Sequence, residues 1–436
     1  MTGQLYIISG ASGCGKTTLV AQMLNETDLN CIRAEKFSER DHRGEGDDIT
    51  HVDRIEEGNC DLVYVINDTY YGVNTATIEQ QLADGKNAFI VLSDFRVVEQ
   101  LKGRFGDQAT AVYVSAPMSA AKVQQVMADR HKKEFRPTED QSSMLRRQFY
   151  RLQCAAQLGR WLTVFDGMVD LLGDWSDVVP HAETTQIRAE KIRSFHLKYI
   201  QGLTLFDHVV LNYGQPEDMT RQMRQILVSS STTRPQEGPV LLVIAAASGA
   251  GKGSVMETVK RVFGERVEIV EKHALRGPKP NDGRDGMRAL GVDGTFSDGF
   301  DFRWSFHESG THYAISTAQV KAALDRGVSA VVISNIAVFP QFLERFPGKV
   351  VFIYLHATRP ESAVREFQYQ NNSTAAEAEE RIREIRHVHE NYMDHIDEFH
   401  HVLLNTSYKE DLYDQMFGVI QRYAPVSLSE DLTASA

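Results

Sequence analysis

Short apolar segments alternate along the chain with segments in which apolar residues recur at helical spacing. The apolar segments LYIIS, AFIVL, AVYVS and HVVLN are rich in β-branched and aromatic residues, and amphipathic segments such as TTLVAQML and TIEQQLADG lie between them. Strands that alternate with helices in this way are typical of a parallel sheet with helices packed on its faces. Further helices are predicted at 186–200 and 375–395. The pattern therefore predicts an α/β fold.

The same order of segments occurs twice. Residues 4–17 (QLYIISGASGCGKT) resemble residues 240–253 (VLLVIAAASGAGKG), and residues 78–94 resemble residues 320–335. Further on, RFGDQATAVYVSAP resembles RFPGKVVFIYLHAT, and FDHVVLN resembles FHHVLLN. Several matching segments in one order indicate two copies of one α/β unit.

The spacing between the two copies predicts the domain boundaries. It falls by about fifty residues before the last matching segment, which places an insertion in the first copy at about 148–190. We expect a first domain at 1–228, a linker rich in Ser, Thr and Pro at 229–239, a second domain at 240–424 and a disordered tail at 425–436. Each domain is predicted to be a mainly parallel sheet between helices.

The first copy contains a glycine-rich phosphate loop between a predicted strand and a predicted helix. Residues 10–17 match the spacing GxxxxGK[ST] in full. Glycines let backbone N–H groups surround phosphate oxygens, and the N-terminus of the helix adds partial positive charge. Lys16 is expected to reach the β- and γ-phosphates of ATP, and the Thr17 hydroxyl to bind Mg²⁺. The alternative is a strand-to-helix turn whose glycines serve packing alone. The expected nucleotide-binding residues are Gly10, Ser12, Gly13, Cys14, Gly15, Lys16, Thr17 and Thr18.

Composition and charge argue against several other classes of protein. The chain has 42% hydrophobic and 24% charged residues, which is the profile of a globular protein and not of a disordered one. No apolar run approaches the roughly 20 residues that cross a bilayer, so no membrane contact is expected. The four cysteines lack the CxxC spacing of a zinc site and are expected to be reduced thiols, which predicts a cytoplasmic location. A net charge of -12 makes DNA a less favoured partner than a small phosphorylated acceptor.

Around the phosphate loop the sequence resembles the guanylate kinase family. ASGCGKTTL is similar to the family's phosphate loop, whose typical form is G-P-S-G-x-G-K-S/T. Residues 38–45 (SERDHRGE) are similar to the family's T-T-R-x-x-R-x-G-E, which grips the acceptor phosphate with two arginines, although the segment is one residue shorter here. Tyr70-Tyr71-Gly72 matches the Y-Y-G of the nucleoside monophosphate domain. The resemblance implies that the acceptor is bound by Ser38, Arg40, Arg43, Glu45, Tyr71, Asp94 and Arg96.

The resemblance also implies a lid segment. Residues 136–140 (RPTED), followed by Arg146 and Arg147, match the lid pattern R-G-T-D-S with two arginines at the same distance. Arg136 and Arg147 would close over the transferring phosphoryl group and, with Lys16, would be the catalytic residues. Phosphoryl transfer needs in-line positioning and charge neutralisation, and this set would supply both. The alternatives are a solvated basic turn for the two acceptor arginines and an ordinary helix surface for Arg146 and Arg147.

The sequence departs from the guanylate kinase pattern in the acceptor region. The family's strand ends in I-D-x-Q-G, whereas residues 91–96 are VLSDFR, which is more similar to the N-G-S-R of ribose 1,5-bisphosphate phosphokinases. The family glutamate that contacts guanine has no secure counterpart upstream of Tyr70. The insertion at 148–190, with Trp161 and Trp175, matches neither family. Guanine specificity is therefore not predicted.

The second copy retains part of the phosphate site. Ala246 stands in place of the first glycine and Gly253 in place of the hydroxyl residue, but Lys252 remains. The acceptor segment keeps Arg276 and the lid keeps Arg381. We therefore expect this half to be regulatory, structural or altered in substrate. The residues expected to bind an anion here are Ser248, Gly249, Gly251, Lys252 and Ser254.

A group of histidines near the end of the second copy has the composition of a metal site. His387 and His389 are two residues apart on a predicted helix and would face different sides, so a solvated surface is the better expectation. The group consists of His387, His389, His395, His400 and His401.

Four hypotheses about function follow from these motifs. The leading one is an ATP- and Mg²⁺-dependent kinase whose first domain moves the γ-phosphate to a nucleotide-type acceptor, with a nucleoside monophosphate as first choice. A sugar-phosphate kinase similar to ribose 1,5-bisphosphate phosphokinase is the second. A phage-type kinase that modifies 5-hydroxymethyluracil in DNA is the third, and the net charge counts against it. A non-catalytic guanylate kinase-like binding module is the alternative for the carboxy-terminal half.

Overall fold

The structure is a computed structural model, and it describes residues 3–11, 13–39, 49–55, 60–66, 69–116, 197–228, 238–278, 282–283, 286–305, 311–357, 361–371, 374–405 and 409–423. The predictions that lie outside these residues concern Ser12, Arg40, Arg43, Glu45, Arg136, Arg146, Arg147, the insertion at 148–190, most of the linker at 229–239 and the tail at 425–436.

The amino-terminal half, which is the described part before residue 229, is built on a parallel five-stranded sheet. Its order is β2-β7-β1-β8-β9, and each neighbouring pair is parallel. All six residues of the central strand β1 are buried, as a continuous apolar run in a central parallel strand requires. The four predicted strands are confirmed, and β2 is a fifth that the pattern does not predict. The strands of this half are β1 (Leu5–Gly10), β2 (Cys31–Arg33), β3 (Lys36–Ser38), β4 (Thr50–His51), β5 (Leu62–Ile66), β6 (Thr69–Val73), β7 (Asn87–Val91), β8 (Ala109–Ser115) and β9 (His208–Leu211).

Four helices of this half follow strands of the sheets, and side chains cap two of them. The Asn74 side chain accepts a hydrogen bond from the Thr77 N–H at the start of α2, and Asp94 accepts one from the Arg96 N–H at the start of α3. Such caps satisfy N–H groups that lack an intrahelical partner. Residues 197–201 are also helical, as predicted for the end of 186–200, and the earlier part of that range lies outside the described residues. The helices are α1 (Lys16–Asn25), α2 (Thr75–Ala83), α3 (Phe95–Phe105) and α4 (Pro216–Val228).

A smaller sheet, in the order β4-β3-β6-β5, stands beside the main sheet. Strand β6 is antiparallel to both β3 and β5, while β4 is parallel to β3. Because β3 comes only two residues after β2, the small sheet is attached to the edge of the main sheet. Of the segments that resemble an acceptor-binding region, Ser38 lies in β3 and Tyr70, Tyr71 and Gly72 lie in β6.

The carboxy-terminal half, which is the described part from residue 238 onward, repeats this arrangement. Its main sheet has the order β11-β16-β10-β17-β18 and its small sheet the order β13-β12-β15-β14, which match the orders of the first half strand by strand. The strands are β10 (Leu241–Ala246), β11 (Val267–Ile269), β12 (Lys272–Ala274), β13 (Met287–Ala289), β14 (Phe302–Ser305), β15 (His312–Ile315), β16 (Ser329–Ser334), β17 (Val350–Ala357) and β18 (His401–Asn405). The helices are α5 (Lys252–Phe263), α6 (Thr317–Asp325), α7 (Phe339–Arg345), α8 (Glu361–Asn371), α9 (Ala375–Asp394) and α10 (Lys409–Tyr423).

Helix α9 is the long helix predicted at 375–395. It begins with a capping box, in which the Thr374 hydroxyl accepts from the Glu377 N–H and the Glu377 carboxylate accepts from the Thr374 N–H. The capping box satisfies two backbone donors at once, and Ile382, Ile385 and Tyr392 then form a buried stripe at helical spacing. None of the helices in the described ranges is both long enough and apolar enough to cross a membrane.

The same hydrogen bonds recur in both halves. Gln222 bonds both the N–H and the C=O of Leu211, and Gln415 does the same with Leu404. These side chains hold α4 against β9 and α10 against β18 at corresponding positions of the two folds. The internal repeat in the sequence therefore corresponds to a repeat of three-dimensional contacts.

The two halves pack against each other through their edge strands. Strands β9 and β18 are the last strands of their sheets and lie side by side, and one continuous group of buried apolar residues extends through both halves. The Arg422 guanidinium in α10 also donates to the Thr204 carbonyl of the first half at 2.7 Å. The loop that follows β9 is also close to the second half, because its Tyr213 hydroxyl lies 3.3 Å from His356 Nδ1. This position matters for the site described next.

Candidate active site

The phosphate loop of the first half lies between β1 and α1, as the sequence predicts. Gly13 and Gly15 have φ values of 84° and 101°, a region that residues with a side chain rarely occupy. A Cβ on Gly10 would lie 2.5 Å from the Val114 carbonyl oxygen, and a Cβ on Gly15 would lie 2.6 Å from the Asn212 Nδ2 atom. The glycines are therefore required by backbone conformation and by the close approach of Val114 and Asn212.

Lys16 is folded back over this loop. Its Nζ atom donates to the carbonyl oxygens of Gly10 and Ala11, each at 2.8 Å. Thr17 and Thr18 are exposed in the first turn of α1, and no acidic residue lies in that turn. A helix N-terminus without a carboxylate, next to an ammonium group, has an electrostatic potential that attracts anions.

Asn212 is a residue of this site that the sequence reasoning missed. Its Nδ2 donates to the Cys14 carbonyl at 2.8 Å, and its Oδ1 accepts from the Gly214 N–H at 2.8 Å. It thereby joins the phosphate loop, in which Cys14 is buried, to the loop after β9. Asn405 donates in the same way to the Ala250 carbonyl of the second loop. The signal in the sequence is the final Asn shared by FDHVVLN and FHHVLLN.

The predicted acceptor residues that the structure describes lie on the small sheet. The Ser38 hydroxyl is buried in β3 and donates to the Tyr70 carbonyl at 3.1 Å. Tyr71 is half-buried in β6 and stacks on Tyr64 at 5.4 Å between ring centroids. The stacking holds the Tyr71 ring in place with part of its surface exposed. The hydrogen bond from Ser38 links β3 to β6.

Asp94 and Arg96 lie at the start of α3, beyond the end of β7. The Arg96 Nη2 is 2.7 Å from the Asp94 carboxylate, and the hydrogen bond from Arg96 lowers the pKa of that carboxyl group below its usual value. The Arg96 side chain is 80% exposed, and that of Asp94 is 11% exposed. Because its guanidinium is largely exposed, Arg96 can exchange Asp94 for a charged ligand at little cost, while the Asp94 carboxylate keeps its hydrogen bond from the Arg96 N–H.

Lys36 is a second residue that the sequence reasoning missed. It is 7% exposed in β3, and its Nζ donates to the Val91 carbonyl at the end of β7, at 2.8 Å. The buried ammonium therefore lies where the small sheet meets the carboxyl ends of the parallel strands. Lys272 makes the corresponding contact with the Ile333 carbonyl at 2.9 Å. The signal in the sequence is the Glu-Lys pair at 35–36 that recurs at 271–272.

Mg²⁺ fits the residues of the first loop. The ion usually takes one or two protein ligands and completes its coordination with phosphate oxygens and water, so the exposed Thr17 hydroxyl is a sufficient protein ligand. Among the described residues, no group of three or more His, Cys, Asp and Glu side chains could hold a metal without such help.

The second half also has a cleft at its phosphate loop, with a volume of about 300 Å³. Lys252 donates to the carbonyls of Ala246 and Ala247, at 3.3 and 2.8 Å, much as Lys16 does in the first loop. Two cations of this cleft already have carboxylate partners. Arg276 lies 2.5 Å from the Asp282 carboxylate, and Arg381 lies 2.5 Å from that of Glu384. Among the residues predicted for this loop, Ser248, Gly251 and Ser254 are half-buried and Gly249 is exposed.

The expectation of a solvated histidine surface near residues 387–401 was wrong for three of the five side chains. His401 is buried with its Nε2 2.8 Å from the Tyr423 hydroxyl, and His400 is half-buried and accepts from the Phe352 N–H. His389 is half-buried, and its Nδ1 is 2.7 Å from the Tyr354 hydroxyl. These histidines pack against β17, β18 and α10, whose positions helical spacing alone does not show. The exposed ones are His387 and His395.

Several guanylate kinases are similar to part of the chain. A guanylate kinase of Alkalilimnicola ehrlichii is 31% identical over 183 residues, which are 40% of this chain and 84% of the relative. A guanylate kinase of Methylobacillus flagellatus is 24% identical over 174 residues, which are 38% of this chain and 80% of the relative. A guanylate kinase of Hydrogenovibrio crunogenus is 26% identical over 125 residues, and the match spans only 60% of that relative's length.

A solved structure is also similar to part of the chain. The guanylate kinase of Anaplasma phagocytophilum matches with a TM-score of 0.30 and 15% identity, and the match covers 44% of this chain and 90% of that one. No family model matches the sequence.

Proposed function

Because the chain belongs to the guanylate kinase family, we propose that it is an ATP- and Mg²⁺-dependent phosphotransferase that moves the γ-phosphate of ATP to a nucleotide-type acceptor. A nucleoside monophosphate is the proposed acceptor, and the amino-terminal half is the proposed catalytic half. The observation that carries the proposal is the first phosphate loop, in which Gly13 and Gly15 have positive φ and Lys16 closes over the carbonyls of the loop.

The side chains of this half would act by position and charge. When the triphosphate binds, Lys16 would exchange its two carbonyl partners for phosphate oxygens, which places an ammonium beside the charge that develops during transfer. Mg²⁺, bound in part by Thr17, would neutralise further phosphate charge. Lys36 lies at the boundary between the main and small sheets, where donor and acceptor phosphates would meet. The proposed acceptor-side arginines are Arg40 and Arg43, and the proposed lid arginines are Arg136 and Arg147.

We propose that the carboxy-terminal half is a degenerate second copy of the kinase domain with a binding role. The matching strand orders and the repeated glutamine contacts support the duplication. The hydroxyl position of the second loop is Gly253, and the carboxylates beside Arg276 and Arg381 compete with a phosphate for these cations. A half with this loop and these ion pairs is better suited to holding a ligand than to transferring phosphate.

A panel of acceptors tests the proposal. The purified full chain would be given labelled ATP and Mg²⁺ with GMP, dGMP, dTMP, ribose 1,5-bisphosphate or DNA that contains 5-hydroxymethyluracil. We expect Mg²⁺-dependent transfer to a nucleoside monophosphate. Transfer to the sugar phosphate or to DNA alone would replace the proposed acceptor and keep the kinase. Absence of transfer to every acceptor, together with absence of ATP binding, would contradict the proposal.

A further inference from the structure

A cavity of about 680 Å³ lies between the two halves, beside the first phosphate loop. On the amino-terminal side its walls include Gly13, Gly15 and Thr18, together with the loop after β9 at 212–214. On the carboxy-terminal side they include the second phosphate loop at 247–250, the end of β17 and one face of α9. Its volume lies within the roughly 300–1,000 Å³ of small-molecule sites.

The cavity contains a buried polar atom that lacks a partner. His356 is 1% exposed, and its Nδ1 lies 3.3 Å from the Tyr213 hydroxyl across the boundary between the halves. Its Nε2 atom is buried and makes no hydrogen bond to any residue that the structure describes. Buried polar groups in native proteins are nearly always satisfied, so an orphaned one that lines a cavity indicates a ligand that completes it.

The remaining walls suit a flat heterocycle. The Tyr213 ring lies 5.3 Å from that of His389 and 5.8 Å from that of His356, and Met219 and Met393 add apolar, polarizable surface. Ring systems stack favourably at such distances, and methionine sulfur packs well on their edges. Burial lowers the pKa of His356 well below its usual value, so the ring is neutral at pH 7. A neutral imidazole with Nδ1 engaged presents either a donor or an acceptor at Nε2.

The cavity is next to the place where the phosphates of a bound nucleotide would lie. Gly13, Gly15 and Thr18 belong both to its wall and to the anion site of the first loop. A nucleotide whose phosphates lie on that loop therefore carries its base within reach of the cavity. Helix α9 covers the other side, so residues of the second half would contact the base of a nucleotide held by the first.

We propose that this cavity holds the nucleobase of the triphosphate bound by the first phosphate loop, with His356 Nε2 hydrogen-bonded to the base. The inference rests on the proposed function, since it needs a nucleoside triphosphate on that loop. The carboxy-terminal half would then complete the donor-nucleotide site of the amino-terminal half without taking part in phosphate transfer.

Calorimetric titration of the full chain with Mg-ATP and with Mg-tripolyphosphate separates the contribution of the base to binding affinity from that of the phosphates. The unmodified chain is expected to bind ATP at least about tenfold more tightly than tripolyphosphate. His356→Phe keeps the ring and removes the nitrogen, so ATP binding is expected to weaken by about fivefold to tenfold while tripolyphosphate binding is unchanged. Tyr213→Phe, which removes only the hydroxyl beside Nδ1, is the second variant should His356→Phe not fold.

His401→Phe is the matched control, because His401 is also buried in the carboxy-terminal half but does not line the cavity. Equal weakening of ATP binding by both histidine variants, or equal binding of ATP and tripolyphosphate by the unmodified chain, would overturn the inference and leave the phosphate loop in place. A further outcome is that Lys252→Ala loses the preference for ATP over tripolyphosphate while Lys16→Ala keeps it. That result would mean that the base in the cavity belongs to a nucleotide bound by the second loop, and it would also overturn the inference. Absence of binding by either phosphate compound would instead refute the proposed function.

Discussion

Tyr199 and Tyr392 exchange hydrogen bonds between the two halves of the chain. The Tyr199 hydroxyl donates to the Val402 carbonyl at 2.8 Å, and the Tyr392 hydroxyl donates to the Val209 carbonyl at 2.5 Å. Each tyrosine stacks on a second tyrosine of its own half at 4.1 Å, and both phenols are fully buried. The reciprocal pattern relates the halves by an approximate twofold axis, as in a symmetric dimer.

Removal of either hydroxyl is expected to destabilise the folded chain. Tyr199→Phe and Tyr392→Phe each leave a buried carbonyl without its donor, at a cost of about 1–2 kcal/mol in the free energy of unfolding. Urea denaturation followed by far-UV circular dichroism measures this change. Tyr70→Phe is the control, because Tyr70 is 49% exposed, and it should change stability little. Similar stability in all three variants would show that the exchanged bonds contribute nothing.

The two loop lysines are expected to differ in importance. Lys16→Ala removes the ammonium from a loop with its hydroxyl residue intact, so phosphotransfer should fall by about a hundredfold or more. Lys252→Ala changes a loop that lacks that hydroxyl and should have a smaller effect on the transfer rate. Initial rates of transfer from labelled ATP compare the two variants. An equal loss from both would mean that the second loop also takes part in transfer.

Lys36 is expected to matter for the chemical step more than for nucleotide binding. Lys36→Met keeps most of the side-chain volume and removes the charge beside the carboxyl end of β7, so kcat should fall by about tenfold or more. The Kd for ATP, measured by calorimetry, should remain within about threefold, since the phosphate loop is untouched. Lys272→Met makes the same change in the second half and should leave kcat unaltered. A parallel loss of ATP binding in Lys36→Met would assign the lysine a structural role.

Gly15 is expected to tolerate no side chain. At φ 101°, a Cβ would be strained by the backbone and would also meet Asn212 Nδ2 at 2.6 Å. Gly15→Ala should therefore weaken ATP binding at least tenfold and destabilise the chain by about 1–3 kcal/mol. Gly103→Ala, in α3 where a Cβ would meet no atom of the described residues within 4 Å, is the control and should bind ATP normally. Normal binding by Gly15→Ala would show that the loop adapts its conformation.

Stability is expected to fall on acidification, and His389 is one of the buried histidines that cause it. Burial lowers its pKa from 6.5 to about 4 in the folded chain. The unfolded chain therefore binds this proton near pH 6.5 and the folded chain only near pH 4, so stability that is present above pH 6.5 is lost as the pH falls between these values. The contribution is on the order of 3 kcal/mol.

A matched pair of variants isolates that contribution. His389→Phe should flatten the decline of unfolding free energy between pH 6.5 and 4, as measured by urea denaturation at several pH values. His387→Phe alters an exposed histidine on the same helix and should retain the decline. The same pH dependence in both variants would exclude His389 as its source.

The sequence by itself determined the parts that depend on local chemistry. Strand and helix periodicity predicted the main sheet and α9, since a parallel strand buried on both faces needs a continuous apolar run. The glycine spacing predicted the loop at residues 10–17, because positive φ and close backbone approach exclude side chains there. The repeat predicted the matching strand orders of the two halves, since similar segments in similar order form similar contacts.

The tertiary structure decided which distant residues meet. Lys36 reaches Val91 across 55 residues of sequence, and Asn212 reaches Cys14 across 198. The sequence shows these residue types but not their partners, because strand order and the packing of the two halves set the distances. The burial of His389 and His401 was mispredicted for the same reason. Helical spacing shows how a residue is placed on its own helix, and only the packed fold shows whether that side faces water.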